Sequence, residues 1–139
     1  MIEIDKLSFA EAVKFQIHLM KMQMSLEDIF IEIALTQDCP TILLMDRGVM
    51  NGSAHTSEKV WQAVLDETGW STIQLRDRRY EAVIHLVTAA DGAREFYQPT
   101  STDVKYQSEK EAIKIDKRTI NAWVGHPHFS IIDNSQNGF

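Results

Sequence analysis

Three short apolar runs, separated by segments with helical spacing, constrain the fold of this chain more than any other feature of its sequence. They are residues 41–45, 82–88 and 129–133, and only His85 interrupts the second run. Runs of this length, bounded by turn residues, are typical of strands buried on both faces of a sheet. Because helical segments connect them, the sequence predicts a parallel α/β sheet with right-handed crossovers.

The first helix is predicted from a capping box formed by Ser8 and Glu11, in which each side chain satisfies a free backbone amide. Apolar residues then recur on two helical rows up to about Thr36. Pro40 cannot continue the hydrogen-bond ladder, so the helix is expected to end before it. Two apolar rows on one helix predict that it is buried on more than one side.

Two further helices carry similar signals at their ends. Ser57 is the predicted N-cap of a helix that ends at Gly69, where a left-handed residue is favoured. A second capping box, Ser108 with Glu111, predicts the start of a helix that continues to Val124. The remaining connections are predicted as a polar link with one helical turn at 71–80, a short helix over 90–97 and a loop over 98–107.

Composition favours one soluble domain, residues 1–139. The 139 residues are 44% hydrophobic and 24% charged, which suffices for one core but not for two domains. The formal net charge of -6 argues against nucleic acid or an anionic membrane as a general partner. Cys39 is the only cysteine, and no apolar run approaches the roughly 18 residues that span a bilayer. We therefore expect a cytoplasmic protein.

The residues that follow the apolar runs are the first candidates for a functional site. Ligands of open parallel sheets bind beyond the carboxyl ends of the strands, and this rule selects Asp46, Arg47, Thr88 and Asp133. An aspartate in that position can hold Mg²⁺, often through water, and an adjacent arginine can clamp a phosphate. The alternative for residues 46–48 is a solvated turn that the aspartate closes with its own side chain.

Cations gather on and just before the helix predicted to start at Ser108. They are Lys105, Lys110, Lys114, Lys117 and Arg118. In kinases a cationic lid neutralises the phosphate that is transferred. The acidic residues Glu109, Glu111 and Asp116 favour the other interpretation, a solvated helix face with internal ion pairs. From the spacing alone, the solvated face has the stronger support.

The histidines give little support for a metal centre. His126 and His128 flank Pro127, but no third ligand lies at a recognisable spacing, so a structural turn before the last strand is favoured. His85, inside an apolar run, is interpreted as a core histidine whose hydrogen bonds are satisfied. Nucleophilic catalysis is not predicted, because Cys39 precedes a proline and no serine lies in a glycine-flanked elbow.

Three ordered stretches of sequence make a family resemblance apparent. They are LLMDRGVMNGSAH (43–55), LRDRRYEAVIHLVTAADGAREFY (75–97) and NAWVGHPHFSIIDN (121–134). Together they resemble the P-loop domain of the TRPL translocation defect protein family, which is grouped with the NadR-type AAA domain. The similarity extends from about Leu7 to Asn134, nearly the whole chain.

This resemblance implies a P-loop NTPase or kinase-like domain that binds Mg-GTP or Mg-ATP. It implies that Asp46 holds Mg²⁺, that Arg47 faces the phosphate or the acceptor, and that residues 98–118 form a lid. Lys105 and Arg118 would be the lid cations, and Asp133 joins them as a nucleotide-binding candidate because it follows the third apolar run. In metazoan members this domain precedes a tunnel-shaped domain linked to phospholipid binding, so a phospholipid connection is a further expectation.

The 139 residues contain no G-x-x-x-x-G-K-[ST] phosphate loop. In the family that loop follows a first strand that lies between the strands predicted at 41–45 and 82–88. We therefore expect a partial three-layer parallel sheet, with a gap that a second copy or a partner chain covers. Two interpretations remain open: part of a nucleotide-binding domain that is not active alone, and an inactive structural or interaction module.

Overall fold

The computed structural model describes residues 6–97 and 108–135, which divide into two compact units, residues 1–71 and 72–139. In its described part the first unit is helical, and the second contains two strands and one long helix. The predicted loop at 98–107, with Lys105, lies outside the described residues. No helix within the described ranges is both long and apolar enough to cross a membrane.

Helix α1, Phe9–Leu35, begins where the sequence predicts. The capping box is complete: the Ser8 backbone N–H donates to Glu11 Oε2 at 2.9 Å, and Ser8 Oγ accepts from the Glu11 N–H at 3.4 Å. Hydrogen bonds from Ser8 lower the pKa of the Glu11 carboxyl, because they stabilise its ionised form. The helix ends at Leu35, which confirms the stop predicted before Pro40.

Two shorter helices follow in the first unit, α2 at Asn51–His55 and α3 at Glu58–Thr68. The end signals of α3 are confirmed, since Ser57 Oγ accepts from the Val60 N–H at 3.3 Å and Gly69 takes a left-handed φ of 72°. Helix α2 was not predicted, because residues 51–55 carry no cap or periodic signal of their own. Helix α3 packs against α1, and the buried apolar side chains of the two helices are Val13, Ile17, Met20, Val60 and Val64.

The prediction of a buried strand at 41–45 is wrong. This segment has no regular secondary structure and pairs with no strand among the described residues, and its side chains at Ile42 and Leu44 are 84% and 93% exposed. A strand requires hydrogen bonds to a neighbouring chain segment, which local apolar character cannot supply. The predicted three-stranded, three-layer sheet is therefore a two-stranded sheet in the described ranges.

The other two predicted strands form as β1, Val83–Leu86, and β2, Phe129–Ile132. Their predicted burial on both faces is wrong, because Ile84, Leu86 and Ile131 are 65%, 67% and 49% exposed. The two strands pair in parallel, with Val83 opposite Phe129 and Leu86 opposite Ile132. A 2.9 Å hydrogen bond from the Val83 N–H to the His128 carbonyl extends the ladder at one end. Because the strands are parallel, their carboxyl ends lie at the same edge, which brings the segments after 86 and 132 together.

Helix α4, Glu109–Trp123, lies between the two strands in the chain. Ser108 Oγ accepts from the Glu111 N–H at 3.2 Å, which confirms Ser108 as the N-cap, the first of the two bonds of the predicted capping box. The link at 71–80 contains one π-helical turn, Ile73–Asp77, in agreement with the predicted helical turn. The helix predicted over 90–97 is only a 3-10 turn, Arg94–Phe96, because Gly92 has a φ of 96°, outside the helical region.

Candidate functional site

Asp46 and Arg47 form an exposed turn directly after the irregular segment 41–45. Arg47 has a φ of 67°, the only left-handed backbone among the non-glycine residues described. A left-handed conformation is costly for a residue with a Cβ, so it persists where the surroundings enforce it. Here Gln23 Nε2 donates to the Arg47 carbonyl at 3.4 Å and fixes the turn to α1.

The turn is not closed by the aspartate side chain, which was the alternative left open by the sequence. Asn51 Oδ1 accepts from the Gly48 N–H at 3.2 Å and closes the turn instead. Within the described ranges, Asp46 makes no side-chain hydrogen bond or ion pair. Its exposed carboxylate is therefore available to a ligand from solvent.

A groove of about 420 Å³ lies between α1 and the segment 42–47, within the first unit. Four residues of α1 line one side, and residues 42–47, including Asp46 and Arg47, line the other. The α1 residues are Gln23, Leu26, Glu27 and Phe30.

Glu27 is the residue of this groove that the sequence analysis missed. Glu27 is only 6% exposed, and its Oε1 accepts a hydrogen bond from Gln23 Nε2 at 3.1 Å. A signal was present in the sequence: residues 13, 17, 20 and 24 make an apolar helical row, and position 27 continues it with a carboxylate. An acidic residue on a buried helix row is uncommon and points to a specific environment.

The carboxyl edge of the sheet holds Thr88 and Asp133, as the strand-end rule predicts. Asn134, after β2, links to the loop after β1, because its Nδ2 donates hydrogen bonds to the carbonyls of Thr88 at 2.9 Å and Asp91 at 2.7 Å. Asp133 Oδ1 accepts from the Ser135 hydroxyl at 2.6 Å and from the Ser135 N–H at 3.0 Å. These hydrogen bonds lower the pKa of Asp133, so its carboxylate is stabilised by its own turn.

Asp116 lies at the same edge, although the sequence suggested only a surface counter-charge. Its Oδ1 lies 3.1 Å from His85 Nε2 and accepts from the Thr88 N–H at 3.1 Å. His85 is thus a half-buried histidine with a hydrogen-bond partner for its ring, as expected. Asp116 lies four residues after Ala112, so both lie on one side of α4, and this spacing is the sequence signal for its half-buried position.

The predicted lid is described only from residue 108 onward. Arg118, together with Lys110, Lys114 and Lys117, is exposed on α4, in agreement with a solvated helix face. Arg94 Nε lies 3.0 Å from Glu109 Oε2 near the helix start. Lys105 lies outside the described residues.

His126 and His128 form a structural turn at the amino edge of the sheet. His126 Nδ1 accepts from the His128 N–H at 3.1 Å, and its Nε2 lies 2.8 Å from the Tyr80 carbonyl. Because Nδ1 is the acceptor, Nε2 carries the proton and donates to Tyr80. Both ring nitrogens are used. No group of three or more potential metal-binding side chains occurs among the described residues.

A family model described as an AAA domain matches residues 3–138, almost the whole chain. The chain belongs to the AAA domain family. Neither the curated proteins nor the solved structures gave a match. The match extends across both compact units, so both belong to the AAA domain sequence.

Membership of the AAA domain family supports a P-loop NTPase-like α/β fold and nucleotide binding as the general function. The candidate residues of this AAA domain are divided between the units: Asp46 and Arg47 lie in the first, and Arg118 and Asp133 in the second. Only Asp46 and Arg47 among them share a described groove.

Proposed function

We propose that this chain supplies the Asp46-Arg47 part of a site for a nucleoside triphosphate, Mg-GTP or Mg-ATP. The domain would be of the kind found in the NadR and TRPL translocation defect protein family. The match to the AAA domain family supports nucleotide as the ligand class. The observation that carries the residue assignment is the turn itself: Asp46 is exposed, has no side-chain partner among the described residues, and precedes an arginine held in a left-handed conformation.

Asp46 fits the requirements of a Mg²⁺ ligand in such a site. Mg²⁺ usually keeps several waters and takes one or two carboxylates together with the phosphates of the substrate, so a full protein cage is unnecessary. The free carboxylate of Asp46 supplies one such oxygen donor or a hydrogen-bond acceptor for a metal-bound water. When bound, Mg²⁺ neutralises charge on the phosphates.

Arg47, with Arg118 and Lys105, would provide the positive charge of the site. A guanidinium group can donate two parallel hydrogen bonds to a phosphate, which fixes orientation as well as charge. Gln23 donates a hydrogen bond to the Arg47 carbonyl and so holds the left-handed backbone in place. The Arg47 guanidinium group therefore has no role in closing the turn. Arg118 and Lys105 act as lid cations in this proposal, and the reaction is hydrolysis or phosphoryl transfer.

The test is a titration of fluorescent GTP and ATP analogues with Mg²⁺ into this chain and into the chain extended by a strand and glycine-rich loop. Asp46→Asn is expected to reduce the Mg²⁺-dependent part of binding about tenfold or more, and Arg47→Ala to weaken both nucleotides. Asp38→Asn, an exposed change outside the groove, is the matched control. Failure of the extended chain to bind either nucleotide would overturn the proposal.

An inactive interaction module is the second proposal, because one observation favours it independently. Segment 42–45 exposes Ile42 and Leu44 almost completely, and it forms no strand pair within the described ranges. Backbone without a strand partner, carrying exposed apolar side chains, can pair with another chain. A second copy or a partner chain would cover the segment.

Light scattering and sedimentation test this module directly. Wild-type chain is expected to form a dimer or a stable complex, and Leu44→Lys to return it to a monomer, because a charge disfavours pairing at an edge. Lys59→Glu, on the exposed side of α3, serves as a control for altered surface charge. A wild-type chain that stays monomeric over the whole concentration range, with no associated protein, would contradict the module.

A further inference from the structure

Helix α1 carries a heptad-spaced apolar stripe that the chain leaves open to solvent. The six members of this stripe follow one another at alternating intervals of four and three residues: Phe15, Leu19, Met22, Leu26, Ile29 and Ile33. Five of the six are at least 40% exposed, and Met22 is 65% exposed. Alternation of four and three keeps side chains on one side of a helix over several turns, the pattern by which two helices pack along their length.

The stripe is separate from the face that α1 buries within the first unit. Val13, Ile17 and Met20 form the buried row, and α3 packs against α1. The core of the unit is therefore formed without the stripe, which continues over about five helical turns. An exposed apolar surface of this length marks a contact with another chain.

The charges beside the stripe change sign along the helix. Lys14, His18 and Lys21 border its amino-terminal half, whereas Asp28 and Glu32 border its carboxyl-terminal half. All five are exposed, and each directly precedes a member of the stripe, so they lie along the same edge. A second α1 in antiparallel orientation brings its acidic half against the basic half, whereas a parallel one brings like charges together.

The stripe also matches itself in an antiparallel register centred at Met24. Each of the layers then pairs two apolar side chains, Phe15 with Ile33, Leu19 with Ile29, and Met22 with Leu26. In the same register His18 of one copy lies across from Glu32 of the other. Two-fold symmetry repeats every pair, as in an isologous dimer. Glu11 lies beyond the stripe, where it is held in the capping box.

We propose that α1 pairs antiparallel with α1 of a second copy of this chain. The stripe forms the seam, and the oppositely charged halves of its edge set the orientation. Leu26 belongs to the stripe and also lines the groove with segment 42–47, so the seam continues to the exposed side chains of Ile42 and Leu44. This inference names the partner and the contact of the interaction module proposed above and rests on that module. It requires no nucleotide.

Sedimentation equilibrium of the whole chain tests the seam. Met22→Lys is expected to raise the dimer dissociation constant about tenfold or more, because it places a charge between apolar layers. Phe9→Gln, on the same helix and 57% exposed but outside the stripe, is the matched control and is expected to stay within about twofold. Both positions are exposed, so circular dichroism is expected to show α1 intact in each variant. Equal dissociation constants for Met22→Lys and wild type, with a wild-type dimer, overturn the proposal.

Charge reversal tests the match between the two halves. The double variant Lys14→Glu, Lys21→Glu and the single variant Glu32→Lys are each expected to weaken self-association about threefold or more at low salt. An equimolar mixture of the two variants is expected to associate more tightly than either alone, because opposite charges again face each other. A mixture no tighter than its components counts against the pairing of α1 with α1.

Spin labels determine the orientation of the pair. Cys39→Ser removes the only native thiol, and labels are then attached at Lys14→Cys or at Ser25→Cys. At a rise of 1.5 Å per residue, the two copies of residue 14 lie roughly 30 Å apart along the axis of the antiparallel pair, but only roughly 10 Å apart in a parallel one. Residue 25, near the centre, is expected at roughly 10 Å. A short distance at residue 14 overturns the antiparallel assignment.

The outcomes separate α1 pairing from the interaction module on which it rests. A wild-type dimer that Leu44→Lys dissociates and Met22→Lys does not overturns α1 pairing and leaves the module in place at segment 42–45. A wild-type chain that stays monomeric contradicts both proposals. Neither result changes what is expected of the nucleotide titration.

Discussion

Asp116 Oδ1 lies 3.1 Å from His85 Nε2, and these two side chains, each 10% exposed, join helix α4 to strand β1. The same oxygen accepts from the Thr88 N–H at 3.1 Å. One carboxylate therefore fixes the end of β1 and the start of the loop that follows it. The carboxyl edge of the sheet, where ligands of this fold class bind, is held by a side chain from α4.

Asp116→Ala is expected to destabilise the chain by about 2–3 kcal/mol. The substitution leaves the half-buried His85 Nε2 and the half-buried Thr88 N–H without their acceptor, and two polar groups that lose a hydrogen bond where solvent access is low carry a cost of this order. Urea unfolding measures the free energy of unfolding. Lys117→Ala, at the next and exposed position, is the control and is expected to change it by less than about 0.5 kcal/mol. Equal effects of the two variants would show that the Asp116 hydrogen bonds contribute nothing.

Signals between residues close in the sequence were sufficient to predict much of the fold. The capping box at Ser8, the left-handed end at Gly69 and the short apolar runs at 82–88 and 129–133 each correspond to an element in the structure. These signals depend on residues close in sequence, such as a cap and the amide three positions later, so a sequence displays them directly.

The features that the sequence did not predict depend on contacts between distant residues. The run at 41–45 has the composition of a strand, but strand formation requires a pairing partner that composition does not specify. The partnership of Asp116 with His85 spans 31 residues and arises only when α4 folds against β1. Glu27 and Asp46 come to line one groove for the same reason, through the return of the chain past α1.

Because of Asp77, the free energy of unfolding is expected to fall as the pH is lowered in the acid range. A hydrogen bond from Arg76 lowers the pKa of Asp77 below its ordinary value of 3.8, and the nearby positive charge acts in the same direction. A lowered pKa in the folded chain means that the carboxylate adds stability above about pH 3.8, and that this stability is lost as the pH falls through the folded value.

The measurement is the free energy of unfolding of wild type and Asp77→Asn, by urea, between pH 2.5 and pH 6. The difference between the two proteins is expected to be largest at pH 6 and to shrink as the pH falls, because protonation removes the same charge that the substitution removes. A difference that is constant over the whole range would contradict the role of the Arg76 hydrogen bond.

Gly125→Ala is expected to destabilise the chain more than Gly69→Ala. Both glycines are left-handed, with φ of 99° and 72°, so both substitutions incur the backbone cost of about 1–2 kcal/mol. A Cβ at 125 would also lie 2.8 Å from both terminal nitrogens of Arg76, whereas a Cβ at 69 would have nothing within 4 Å.

Thermal and urea unfolding of the two glycine variants provide the comparison. The added loss at 125 is expected to be about 1 kcal/mol or more, because the Arg76 guanidinium donates to the Val124 carbonyl and to Asp77 and has to shift. Arg76→Ala combined with Gly125→Ala is expected to reduce that added loss, since the group that the Cβ meets is gone. Equal losses at 69 and 125 would mean that Arg76 moves without cost.

Arg47→Gly is expected to raise stability while removing a proposed function. A left-handed φ of 67° costs conformational energy for arginine but not for glycine, which has no Cβ. Relief of this strain is expected to stabilise the folded chain by up to about 1 kcal/mol. Arg47→Lys retains both the charge and the strain and is expected to leave stability unchanged. Urea unfolding of wild type and the two variants, together with the nucleotide titration described above, separates the effect on stability from the effect on binding.

A stabilised glycine variant that binds nucleotide more weakly indicates that the strained backbone is retained for the arginine side chain. A glycine variant less stable than wild type would show instead that the arginine side chain contributes more to folding than its backbone conformation costs.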